Sequence, residues 1–146
     1  MRTVESDERT RMGVLDIEEC LTLLRWEPIG RLAVAARGQA PIVVPVNFTV
    51  YEGAVVFRSD DGTKLDLIRE QPVSLQVDRF DWFRRIGWSV LVRGVAHEVM
   101  ADDVADVDVR PWAPGRKAHW VRIAPTAISG RRLELDQSPL DPRGYL

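Results

Sequence analysis

Short runs rich in apolar and β-branched residues lie between residues 31 and 128, and glycine, proline or charged residues separate them. Such runs are typical of β-strands, and residues 73–78 alternate apolar and polar side chains as a half-buried strand does. The pattern predicts six strands, at residues 31–36, 42–51, 54–58, 73–78, 88–100 and 119–128. Glu52-Gly53 is a two-residue hairpin signal, so the first three strands are expected to form an antiparallel meander.

Helical patterns are few and short. Asp16, followed three residues later by Glu19, resembles a capping box, and Pro28 ends that helix. Further short helices are predicted at residues 63–69 and, with an acidic surface, at residues 102–109. Gly130, Arg131 and Arg132 are interpreted as a turn into a final apolar pair. The predicted buried face of the first helix consists of Ile17, Cys20, Leu21 and Leu24.

This order of elements predicts a mainly β fold, a small closed or half-closed antiparallel β-barrel with short helices and about six to seven strands. A Rossmann sheet is disfavoured, because no βαβ unit repeats. The 146 residues are enough for one domain with one core. We expect that domain at residues 14–136, after a flexible N-terminal tail (1–13) and before a C-terminal tail (137–146).

Composition excludes several classes of function. The net charge of −2 gives no general attraction to nucleic acid or to anionic lipid. No apolar run is long enough to cross a bilayer and the N-terminal segment is polar, so a soluble cytoplasmic protein is predicted. Cys20 is the only cysteine, which excludes an intramolecular disulfide and an all-cysteine metal site, and its helical pattern favours a core position.

Residues 79–88 place five large apolar side chains in what the pattern makes a loop: Phe80, Trp82, Phe83, Ile86 and Trp88. That is too much apolar surface to leave in water. The segment either folds over the end of its own barrel or packs against a second subunit. We favour the second interpretation, a homodimer, because aromatic residues and arginines are enriched at interfaces and a small barrel offers a two-fold packing face.

The segment after the third strand has the residues of a phosphate site. Arg58 and Ser59 end the strand, Gly62 permits a sharp turn, and Thr63 and Lys64 begin a helix. Two cations, two hydroxyl groups and the first N–H groups of a helix would stabilise an anion. An ordinary surface turn with Thr63 as the N-cap explains the same residues.

Chemistry that depends on an acid or a base is not indicated. His97 and His119 lie in predicted strands, where we interpret them as packed or surface residues rather than proton donors. Two histidines do not define a metal site. The aspartates of residues 102–108 are interpreted as a solvated surface rather than calcium ligands. We therefore predict neither catalytic residues nor metal ligands.

The ordered set of motifs resembles the pyridoxamine 5′-phosphate oxidase-like FMN-binding split-barrel family, in particular its small actinobacterial-type members. The segments that carry the resemblance are Gly30–Val34, Pro41–Phe48, Val56–Ser59, Gly62–Leu65, Val73–Asp78 and Gly87–Gly94. The resemblance implies a homodimer with FMN at each subunit interface. It assigns the cofactor to Pro45, Val46, Asn47, Phe48, Arg58, Ser59, Thr63, Lys64, Trp88 and Ser89.

Within that set, the resemblance implies that the residues from Arg58 to Lys64 hold the phosphate and that Pro45–Phe48 line the flavin ring. Pro45 agrees with this, because a proline inside a strand leaves a gap in the ladder that a ligand could occupy. Trp88 and Ser89 would reach the flavin from the other subunit. The tail after Leu133 has no basic and histidine cluster, which argues against vitamin B6 oxidation.

Two hypotheses from different classes follow. The first is a flavin-dependent oxidoreductase that takes electrons from a nicotinamide or another donor and reduces a small molecule. The second is a flavin-binding or flavin-sequestering protein without turnover, favoured by the lack of an evident acid or base. The same barrel could instead hold the deazaflavin F420 or haem.

Overall fold

The computed structural model describes residues 10–60, 62–109 and 118–135. These residues form seven strands, two α-helices and one 3-10 turn. In chain order the elements are β1 (Thr10–Leu15), α1 (Ile17–Leu24), β2 (Ile29–Val34), β3 (Ile42–Tyr51), β4 (Ala54–Ser59), α2 (Thr63–Ile68), β5 (Pro72–Asp81), β6 (Ile86–Val99), the 3-10 turn (Ala101–Val104) and β7 (His119–Leu135).

The strands form one antiparallel sheet that closes on itself. Their order is β1-β7-β4-β3-β2-β5-β6, and β6 also pairs with β7. That last pairing runs from Ile86 opposite Glu134 to Val99 opposite Trp120. Six strands therefore form a closed barrel, and β1 is an additional strand on β7. The predicted antiparallel barrel of six to seven strands is confirmed.

Alternation gives each strand an inner face, toward the core, and an outer face. On β3, Val46 and Phe48 are buried, whereas Pro45 and Asn47, which alternate with them, point the other way. The core joins the inner faces of the strands to both helices, through Cys20 and Leu24 of α1 and through Leu65 and Ile68 of α2. Its largest fully buried side chains include Phe57, Leu32, Leu75 and Ile123.

The predicted meander of β2, β3 and β4 is confirmed by their antiparallel registers. Glu52 and Gly53 form the turn between β3 and β4 with φ angles of 49° and 72°. Two successive positive φ values identify the type I′ turn, whose twist matches that of the flanking strands. Gly53 adopts this conformation without the steric cost of a Cβ atom.

Helix α1 begins as predicted, since the Asp16 side chain accepts a hydrogen bond of 2.8 Å from the Glu19 N–H. Cys20 and Leu24 are fully buried. Ile17, however, was expected on the buried face and is 57% exposed. It is the first residue of α1, and the apolar contacts of the helix are made one turn later.

The turn predicted at Gly130, Arg131 and Arg132 is wrong. Strand β7 continues through these residues to Leu135, paired with β1 on one side and β6 on the other. A Cβ atom on Gly130 would lie 2.6 Å from Cys20 Sγ. Glycine is needed here because α1 approaches β7 closely, and not because the chain turns.

The aromatic segment at residues 79–88 is a hairpin rather than the predicted loop. Its first residues belong to β5 and its last to β6, and Asp81 Oδ1 accepts hydrogen bonds of 3.0 Å from the N–H groups of Phe83 and Arg84 at the tip. Trp82 and Phe83 are 88% and 99% exposed, whereas Trp88 packs against the core. The tip does not fold over its own barrel.

The predicted acidic helix at residues 102–109 is also wrong, because only the 3-10 turn Ala101–Val104 forms there. The aspartates of this stretch are exposed while Val104 and Val109 are buried. The acidic side chains form a solvated surface, as expected.

Strand β1 contains residues 10–13, which the sequence pattern placed in the flexible N-terminal tail. Residues 1–9 and the predicted C-terminal tail, 137–146, lie outside the described residues. Among the described helices, none is long and apolar enough to cross a membrane.

Candidate functional site

The outer face of β3 and β4 brings together part of the predicted cofactor site. Pro45, Asn47 and Arg58 point outward, because they alternate with the core residues of the same strands. The β3–β4 ladder ends at the pair Phe48 opposite Phe57, and Asn47 and Arg58 occupy the next position beyond that pair, one on each strand. An amide and a guanidinium therefore lie at neighbouring positions on the outside of the barrel.

Three other predicted cofactor residues point inward. The side chains of Val46, Phe48 and Ser59 are 6%, 5% and 0% exposed, respectively. The Ser59 hydroxyl donates a hydrogen bond of 3.1 Å to the carbonyl oxygen of Asp60. These three residues can meet a ligand through their backbone, whereas their side chains belong to the core.

The connection from β4 to α2 turns sharply at Gly62, which is the N-cap of α2 and has φ 140°. That conformation strains any residue with a Cβ atom. Gly62 has no side chain to cap the helix, and Thr63 is the first helical residue rather than the N-cap. Leu65 and Ile68 fix α2 against the core, which leaves Lys64 half-buried at its start. Because α2 has only six residues, the positive charge here comes mainly from Lys64 and Arg58.

Arg58 lies over the ring of Trp120, a residue that the sequence did not indicate. The two residues are directly opposite in the β4–β7 ladder, and Arg58 Cζ lies 5.1 Å from the centre of the Trp120 ring. This distance is within the range of a cation–π contact. The sequence of residues 119–128 predicted a strand but could not show that it pairs with β4.

Asn47 is held in place by the end of the α1–β2 connection. Its Nδ2 donates a hydrogen bond of 3.2 Å to the carbonyl oxygen of Pro28, and the backbone N–H of Phe48 donates to the same oxygen at 3.2 Å. Pro45 lies opposite Arg31, which forms an ion pair of 3.5 Å with Asp78. The outer face of β3 is therefore bordered by fixed polar groups.

Trp88 and Ser89 are not brought to this face within one chain. Trp88 points inward and borders a cleft of about 490 Å³ near the base of the β5–β6 hairpin. Ser89 points outward opposite Asp78, and its Oγ accepts a hydrogen bond of 3.2 Å from Gln76 Nε2. Strands β2 and β5 separate β3 from β6, which corresponds to roughly 14 Å at the usual strand spacing.

Both histidines contact carboxylates near the end of α2. His97 Nδ1 lies 2.8 Å from Glu70 Oε2, and His119 Nδ1 lies 3.1 Å from Glu98 Oε1. Arg69 contacts the same Glu98 oxygen at 3.0 Å. No group of three or more potential ligand side chains suited to a metal ion occurs in the described ranges. These contacts tie α2 to β6 and β7.

Cys20 is fully buried between α1 and the barrel, as predicted. Burial raises the pKa of its thiol, and the carboxylates of Asp16 and Glu19 raise it further. The thiolate is therefore disfavoured, which makes Cys20 a poor nucleophile.

Comparison with known proteins gives a consistent result. The sequence profile described as pyridoxamine 5′-phosphate oxidase matches residues 16–132. The Mycobacterium tuberculosis protein Rv0080 is 33% identical over 131 residues, which cover 84% of this chain and 86% of that protein. An FAD-binding protein from Mycobacterium smegmatis is 34% identical, with a TM-score of 0.72 and coverage of 84% of this chain and 98% of its own. An FAD-binding protein from Mesorhizobium loti is 28% identical, with a TM-score of 0.70 and coverage of 86% and 98%.

Proposed function

Because this chain belongs to the pyridoxamine 5′-phosphate oxidase family, we propose that it binds FMN on the outer face of β3 and β4 and acts as a flavin-dependent oxidoreductase on a small molecule. The observation that carries the proposal is the arrangement of Pro45, Asn47 and Arg58 on one face, next to the start of α2 with Lys64. A flavin, when bound, supplies two-electron transfer between a donor such as a nicotinamide and a small acceptor.

The donor set suits the phosphate end of a flavin. Arg58 presents a planar set of N–H donors, and Lys64 adds a second cation close to the sharp turn at Gly62. Thr63 contributes its backbone N–H at the first position of α2. A ring lying over β3 would contact the polar groups beside Pro45, including the Asn47 amide.

We also propose that the functional unit is a homodimer. Ser89 is too far around the barrel from Asn47 to reach the same flavin, so Ser89 and its neighbour Trp88 would come from the second subunit. Trp82 and Phe83 at the hairpin tip are largely exposed in the single chain. Burial of two aromatic side chains in a partner would remove that exposed apolar surface.

Flavin binding without turnover is the second candidate. It is favoured by the lack of an evident acid or base among the residues proposed to hold the flavin; neither histidine belongs to that set, and both contact glutamates beside α2. FAD in place of FMN is a further option, because the two structural relatives above are named FAD-binding proteins.

One purification separates these possibilities. The native protein should be yellow, and the extracted cofactor should have the mass of FMN. Anaerobic addition of NADH or NADPH should bleach the flavin, and an acceptor such as a quinone or a nitroaromatic compound should restore its colour. A flavin that no nicotinamide bleaches, with no turnover across a panel of acceptors, would favour the binding-only function. A colourless protein that takes up F420 or haem but not FMN contradicts the proposal.

A further inference from the structure

We infer that Trp120 is a positioning residue that holds the guanidinium of Arg58 in place for the flavin phosphate. This inference rests on the proposed function, because it concerns how that site recognises a phosphate.

The contact is built into the pairing of two strands. Arg58 on β4 faces Trp120 on β7, and the pairs on either side, Phe57 opposite Val121 and Ser59 opposite His119, fix the register. Phe57, Val121 and Ser59 are buried on the inner face. A slip of one residue would turn those side chains outward, so Trp120 is held on the outer face beside Arg58.

The geometry of the contact suits a supporting role. The Arg58 Cζ atom lies over the Trp120 ring, 5.1 Å from its centre, which is a cation–π contact. The N–H groups of a guanidinium lie in its plane, where they form paired hydrogen bonds with phosphate oxygens. The contact therefore restricts the long arginine side chain, and the N–H groups that do not face the ring can still bind an anion.

Restriction matters because ordering a flexible side chain opposes binding. Without the indole, Arg58 would sample more rotamers, and phosphate binding would have to select among them. We expect replacement of Trp120 to weaken FMN binding by about three- to tenfold, the range of a partly exposed cation–π contact. Riboflavin has no phosphate, so its binding should not change.

The experiment measures the dissociation constants of FMN and riboflavin by flavin fluorescence and compares among variants the riboflavin constant divided by the FMN constant. The set is wild type, Trp120→Leu, Trp120→Phe, Arg58→Ala and the double variant Arg58→Ala/Trp120→Leu. The matched control is Trp26→Leu, since Trp26 is 75% exposed and lies at the end of α1. Thermal unfolding checks that each variant is folded, and Trp120→Met replaces Trp120→Leu if the latter is not.

The inference predicts that the ratio falls in Trp120→Leu, falls less in Trp120→Phe and is unchanged in Trp26→Leu. Trp120→Leu should have no further effect on the ratio once Arg58 is alanine, whereas a purely structural role would act in both backgrounds. If Arg58→Ala lowers the ratio and Trp120→Leu leaves it unchanged, the inference is overturned and the phosphate assignment is retained. Equal binding of FMN and riboflavin by the wild type overturns the phosphate site itself, and the inference with it.

Discussion

Gly130→Ala tests the interpretation that glycine is needed in β7 for the approach of α1. The added Cβ atom would lie 2.6 Å from Cys20 Sγ and 3.1 Å from Leu15 Cδ1. Cys20 is fully buried, so neither the sulfur nor the helix can move aside without disturbing the core. The Cβ and Sγ atoms have to separate by about 1 Å to reach an ordinary contact distance.

The magnitude follows from two opposing effects. Overpacking of a core typically costs about 1–3 kcal/mol. Replacing glycine by alanine also restricts the unfolded chain, which stabilises the fold by about 0.4–1 kcal/mol. We expect a net loss of about 1–2 kcal/mol, and therefore a melting temperature lowered by roughly 3–7 °C for a chain of this size.

Calorimetry or circular dichroism on melting measures this change, and Gly13→Ala is the matched control. Gly13 lies in β1, also paired with β7, but its added Cβ would meet only Arg132 Cβ, at 3.8 Å. Gly13→Ala should therefore be neutral or slightly stabilising. Cys20→Ala should recover part of the loss in the Gly130→Ala background, because it removes the clashing sulfur. Equal melting temperatures for Gly130→Ala and Gly13→Ala would refute the steric explanation.

Three further predictions concern the site, the interface and the buried thiol. Arg58→Ala and Lys64→Ala should each weaken FMN binding by about 1.5–3 kcal/mol, the value of a charged hydrogen bond. Titration with riboflavin should show unchanged binding. If both variants retain FMN as the wild type does, the phosphate assignment is wrong. Trp82→Ala should weaken the proposed dimer by about 2 kcal/mol, measured by light scattering, and Trp26→Ala is the exposed control. Trp88→Ala should weaken the dimer and also lower the melting temperature, because Trp88 packs against the core. The pKa of the Cys20 thiol is raised in the folded state, so the unfolded chain loses this proton first as the pH rises above roughly 8.5, the ordinary thiol value. The free energy of unfolding of the wild type should therefore fall at alkaline pH. Cys20→Ala, followed by alkaline unfolding, should lack this part of the fall.

The elements that local signals define were predictable. Runs of apolar and β-branched residues located β3 and β4 to within a residue, and Glu52-Gly53 identified their connection because few residue pairs accept two positive φ values. The placement of Arg58 and Lys64 on either side of Gly62 followed from the same local information. These are features in which the physical cause lies within a few residues of its effect.

The errors occur where a distant element decides the structure. Glycine followed by two arginines has the composition of a turn, and only the approach of Cys20 shows that Gly130 belongs to a straight strand. The contact of Trp120 with Arg58 was not predicted for the same reason. A local sequence pattern can indicate a strand but not which strand lies beside it. The pairing of β4 with β7 joins segments far apart in sequence, and it determines that Arg58 meets an indole. The local sequence therefore locates the charges of the candidate site, whereas strand pairing determines how rigidly one of them is held.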